Sequence, residues 1–70
     1  MKRREIIKHI ENNGCEFLRE GGNHTVYVNR LKMKVSTVPR HREIDDNLCR
    51  RICKDLEIKE VLAIIYYGIE

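Results

Sequence analysis

Gly21-Gly22-Asn23-His24-Thr25-Val26-Tyr27-Val28 is the stretch that decides how this chain folds. Adjacent glycines free the backbone for a tight reversal that a side chain would resist. Directly after them, Thr25 to Val28 is a β-branched and aromatic run that suits a pleated, half-buried strand. His24 therefore stands at a strand mouth, held by a rigid element yet open to solvent. Imidazole titrates near neutrality, so a histidine in that position is a candidate for giving or taking a proton.

On the N-terminal side, Cys15 to Glu20 lies between glycines and reads as a short strand with Phe17 or Leu18 directed inward. Before it, Lys2 to Asn13 puts Ile6, Ile7 and Ile10 on one helical face and Arg3, Arg4, Lys8 and Glu11 on the other. Asn13-Gly14 supplies the stop, because glycine readily takes the left-handed conformation that ends helices.

On the C-terminal side, the polar break Asn29-Arg30-Leu31-Lys32 precedes a third β-rich run, Met33 to Val38, completing an antiparallel meander. With Arg30 and Leu31 as a two-residue loop, Val28 faces Met33, Val26 faces Val35 and His24 faces Thr37. Pro39 cannot continue a ladder, so Arg40-His41-Arg42 should leave the sheet beside His24. Asp45 is a fitting N-cap for a second helix, on which Leu48, Ile52 and Leu56 form an apolar stripe. The order helix, three strands, helix gives an α+β fold in a single domain, with its core in residues 1–56 and an apolar segment in 57–70.

Seventy residues leave room for a shallow site rather than a deep cavity. The net charge of +3, from 14 Lys and Arg against 11 Asp and Glu, favours polyanionic partners. Three cysteines, Cys15, Cys49 and Cys53, make no paired framework and read as reduced thiols in a cytoplasmic protein. No second motif joins Cys49 and Cys53, so neither metal nor other cofactor is expected. Val61 to Tyr67 is apolar around most of a helix but well short of the roughly 20 residues of a membrane span, so no membrane partner is expected. That run offers a surface for self-association or for another protein.

An accessible histidine beside arginines suits cleavage of RNA, which brings its own nucleophile in the 2′-hydroxyl. The protein then supplies a proton carrier and positive charge for the developing phosphorane. Ser36 is the only serine and no nucleophile elbow is present, which disfavours acyl transfer. On this reading His24 is catalytic and His41 is placed to support it. Lys2, Arg3, Arg4, Lys34, Arg40 and Arg42 are the candidates for holding an RNA backbone. His9 reads as a boundary residue and Tyr27 as a packing residue. The alternative is a double-stranded RNA-binding module without catalysis.

Gly22-Asn23-His24 at a strand start, followed by Val38-Pro39-Arg40-His41 and Glu43-Ile44 leading into an amphipathic helix, resembles the HicA-type toxins of bacterial toxin-antitoxin pairs. The resemblance runs across nearly the whole of residues 1–56. It implies a double-stranded-RNA-binding-domain-like fold, with three antiparallel strands, helices on one face and a short C-terminal helix. It also implies an mRNA interferase that halts translation until a HicB-type antitoxin covers it. The family's catalytic histidine falls on His24, with Gly22 and Asn23 as the matching residues before it. Thr25 stands where relatives often carry a second histidine, which leaves His41 or a substrate group as the second proton carrier.

Overall fold

The computed structural model describes residues 1–61. Its elements are α1 (Arg3–Asn12), β1 (Glu16–Glu20), β2 (His24–Asn29), β3 (Lys34–Pro39) and α2 (Asp46–Leu56). The sheet is antiparallel in the order β1-β2-β3, so β2 is the central strand. This is the helix-strand-strand-strand-helix order expected above.

Both helices lie against one face of the sheet. Ile6 and Ile10 of α1 share a core with Cys49, Ile52, Cys53 and Leu56 of α2 and with Tyr27 and Val38 of the sheet. Side chains alternate across a strand. Thr25, Tyr27 and Asn29 therefore point toward the helices, while His24, Val26 and Val28 belong to the opposite face. Asp45 caps α2 as expected, its carboxylate accepting from the Asn47 N–H at 3.0 Å. The buried stripe of α2 is carried by its two cysteines with Ile52 and Leu56, and Leu48 is only half-buried at its margin. Ile7 is likewise marginal on α1.

The β2–β3 register departs from expectation by two residues. The loop is Arg30–Met33, not Arg30-Leu31 alone, and β3 begins at Lys34. Val28 pairs with Val35, Val26 with Thr37 and His24 with Pro39. Local chemistry selects the longer loop. Asn29 Oδ1 accepts from the Lys32 N–H at 3.3 Å, the Arg30 carbonyl accepts from the Met33 N–H at 3.3 Å, and Met33 takes a left-handed φ of 55° to rejoin the ladder. A shift of two leaves every side chain on its expected face.

β1 also differs. Phe17 pairs opposite Tyr27 and so shares its face, but neither Phe17 nor Leu18 is buried, at 51% and 39% exposure, and Cys15 just before the strand is buried instead. A register irregularity between Phe17 and Arg19 interrupts the alternation. Phe17 still touches the sheet, edge-on to Tyr27 with ring centroids 6.2 Å apart.

One connection has no counterpart in the sequence pattern. The residues ahead of α1 pair with those ahead of α2: Arg3 N–H donates to the Arg42 carbonyl at 2.8 Å and Ile44 N–H to the Met1 carbonyl at 2.7 Å. This short ladder holds Arg42 beside the start of α1. The short C-terminal helix and most of the Val61–Tyr67 run lie outside the described residues; Val61 itself is buried in the core. Among the described residues, no helix is long and apolar enough to cross a membrane.

Candidate active site and basic groove

The β1–β2 reversal is closed by the Gly21 N–H, which donates to the His24 carbonyl at 2.7 Å. A Cβ on Gly21 would stand 3.2 Å from that carbonyl oxygen, so the close approach of the two strands is what favours glycine there. Gly22 has open space around it, and neither residue uses left-handed backbone; that conformation occurs instead at Gly14, φ 87°, behind α1. His24 begins the central strand and is exposed. Among the described residues its imidazole has no hydrogen-bond partner, and neither does that of His41, which is also exposed. By contrast His9 is tied down, its Nε2 donating to the Lys59 carbonyl at 2.7 Å.

Beneath the reversal runs a polar chain that joins all three strands to α1. Arg3 donates from Nε to the Pro39 carbonyl at 2.8 Å and from Nη2 to Thr25 Oγ1 at 2.8 Å. The Thr25 hydroxyl donates to Glu20 Oε1 at 3.0 Å. Glu20 Oε1 also accepts from Arg40, through Nε at 3.1 Å and through a short contact from Nη2. Arg40 in addition donates from Nη1 to the Gly22 carbonyl at 2.7 Å and from Nη2 to the Gly21 carbonyl at 2.8 Å. The hydrogen bonds from Arg40 and then Thr25 hold the Glu20 carboxyl below the usual carboxylate range.

At the same end of the sheet lies a groove of about 750 Å³ lined by Lys2, Arg3, Arg4, Ile7, Lys8, Glu11, Arg40, Arg42 and Glu43. Cations outnumber carboxylates in it, and among the described residues Lys2, Arg4, Lys8 and Arg42 make no ion pair. Such a concavity concentrates positive potential. The residues expected at this end thus do assemble there: Pro39 faces His24, and Arg40 to Arg42 follow directly. Arg40, however, is engaged with the β1–β2 reversal.

The sequence matches a known family. A family model described as the HicA toxin of bacterial toxin-antitoxin systems matches residues 3–58. The chain belongs to that family. No curated protein and no solved structure matches it. Membership of the HicA family makes this a toxin of the toxin-antitoxin kind with an antitoxin as its expected counterpart, and it agrees with the double-stranded-RNA-binding-domain-like element order.

Lys34 stands apart from the other expected RNA-holding residues. It opens β3 opposite Asn29, at the far end of the sheet from His24, and pairs with Glu57 at 3.4 Å. Sequence reasoning missed Glu20, Thr25, Lys8, Glu11 and Glu43. Of these, the Glu20–Thr25 pair was open to discovery, since residues flanking a hairpin reversal face one another. The groove residues needed the ladder between Met1–Arg3 and Arg42–Ile44, which no local pattern announces.

The cysteines are buried singly in the core, at 4% exposure for Cys15, 0% for Cys49 and 1% for Cys53. Burial pushes all three thiols up. Among the described residues no cluster suited to a metal ion occurs.

Proposed function

We propose that this HicA-family chain is an endoribonuclease toxin that cleaves mRNA in the cytoplasm, with His24 as the proton carrier. The observation that supports this most is the pairing of an exposed, uncommitted imidazole with a cation-lined groove at one end of the sheet. Single-stranded RNA with its phosphates held in the groove by Lys2, Arg4, Lys8 and Arg42 would round the end of β2 to reach His24 on the sheet face opposite the helices.

There the 2′-hydroxyl attacks the adjacent phosphorus as His24 takes up or delivers a proton. The P–O5′ bond breaks, leaving a cyclic phosphate on one fragment and a 5′-hydroxyl on the other. His41, exposed and on the same connection as Arg40 and Arg42, is the candidate for the complementary proton transfer. A HicB-type antitoxin that covers the His24 end of the sheet would silence the reaction. The reading calls for no metal.

The test is cleavage of labelled RNA in EDTA by the parent chain and by His24→Ala. General acid-base loss predicts a fall of about 10² to 10⁴ in rate with RNA affinity retained. A His24→Ala chain that cuts as fast as the parent removes the assignment. RNA left intact by the parent but bound in a salt-dependent way would instead favour the non-catalytic RNA-binding module.

A further inference from the structure

Arg40 is a natural first choice for a phosphate-holding residue, since it is exposed, cationic and lines the basic groove. Its hydrogen bonds point elsewhere. Nη1 and Nη2 reach the carbonyls of Gly22 and Gly21 at 2.7 and 2.8 Å, and the inner side of the guanidinium is held by Glu20. Those two carbonyls belong to the residues that lead into Asn23 and His24. Glu20 in turn is fixed from the other side by Thr25, which follows His24 and is itself held by Arg3.

We propose that Arg40 and Glu20 are positioning residues for His24, acting as one clamp on the reversal from which its imidazole projects, and that Arg40 does not hold the substrate phosphate. The inference rests on the RNA-cleavage reading for its consequence but not for its geometry. A planar guanidinium fits this work because it presents several donors in fixed directions, so one side chain can bind two successive carbonyls and a carboxylate together. A lysine has a single ammonium and cannot reproduce that fork. Glu20 is needed because its charge, added to the two neutral carbonyls, biases the guanidinium toward the reversal rather than toward an incoming phosphate. His24 begins β2 within this frame, bracketed by Gly22 before it and Thr25 after it. Loosening the frame would misplace the imidazole without removing any chemical group from the site.

The experiment uses the full chain with Arg40→Lys, Arg40→Ala, Glu20→Gln and the Glu20→Gln/Arg40→Lys double variant. Two readouts are taken on each. The first is amide hydrogen exchange of Gly21, whose N–H donates to the His24 carbonyl. The second is the split between kcat and KM on RNA, together with the salt dependence of RNA affinity measured in a His24→Ala background.

A positioning role predicts faster Gly21 exchange in every variant and kcat lowered about 10- to 100-fold, with KM and the salt slope near those of the parent. Arg40→Lys should then fail to rescue although it keeps the charge, and the double variant should be no worse than the poorer single one. A phosphate-holding Arg40 predicts the reverse: unchanged exchange, substantial rescue by lysine, raised KM, and an Arg40→Ala salt slope shallower by about 0.7. That outcome overturns the proposal. If the parent cuts no RNA, the enzymatic reading fails by itself, and Gly21 exchange still decides whether the clamp exists. Unchanged exchange in Arg40→Ala and Glu20→Gln refutes the clamp whatever the activity.

Discussion

RNA binding in the basic groove should carry a salt dependence fixed by how many cations the fold leaves for phosphate. Six basic side chains line the groove, but Arg3 is held by Pro39 and Thr25, and Arg40 by Glu20, Gly21 and Gly22. Lys2, Arg4, Lys8 and Arg42 remain. On a single strand each neutralised phosphate adds about 0.7 to the slope of log affinity against log salt, so four contacts give about −2.8. Raising salt from about 50 to 200 mM should then weaken binding about 50-fold. Had all six cations met phosphate, the slope would be about −4.2 and the loss about 300-fold. The assay is fluorescence anisotropy of a labelled single-stranded RNA with the His24→Ala chain, chosen so that binding is read without cutting. In that background Arg42→Ala should flatten the slope by about 0.7. Lys34→Ala should not change it, because Lys34 sits at the far end of the sheet and is paired with Glu57 at 3.4 Å. A parent slope flatter than about −1.5, or equal effects of Arg42→Ala and Lys34→Ala, would refute the groove as the RNA site.

Asn29→Ala removes a buried side-chain amide that donates to the Leu56 carbonyl at 2.8 Å and ties the end of β2 to the end of α2. Leaving that carbonyl unpaired should cost about 1–3 kcal/mol in urea unfolding, with cleavage per folded molecule unchanged. Stability should also fall in alkali. Burial raises the Cys15, Cys49 and Cys53 thiols and the Tyr27 phenol, so the unfolded chain ionises first. Their contribution is complete below the ordinary thiol value of about 8.5 and is lost as pH climbs through the folded values, which thermal melts across that range will follow. Thiol reagents at neutral pH should label the three cysteines only as fast as the chain unfolds.

The fold was legible wherever one local rule sufficed. The isoleucines at 6 and 10 place α1, the Asp45 cap places α2, and the Thr25–Val28 run places the central strand; each rests on periodicity or capping within a few residues. The β2–β3 loop shows where such rules compete. A two-residue connection is the simplest hairpin, yet Asn29 turns its side-chain oxygen back onto Lys32 and Met33 accepts left-handed backbone, which lengthens the loop. Because the error was an even number of residues, it moved His24 from Thr37 to Pro39 while leaving it on the predicted face. That is why the connection after Pro39 still leaves the sheet beside His24 despite the wrong register.

What the sequence could not show is which cations the fold consumes internally. Arg3, Arg4, Arg40 and Arg42 are equivalent in composition and nearly so in pattern. Tertiary contacts divide them: Arg3 anchors α1 to the sheet and Arg40 clamps the glycine reversal, whereas Arg4 and Arg42 make no ion pair among the described residues. The division follows from partners far along the chain, Thr25 and Pro39 for Arg3 and Glu20 to Gly22 for Arg40. A basic residue beside a candidate catalytic histidine can thus serve the frame rather than the ligand. Its free donors, more than its charge, tell which role it plays.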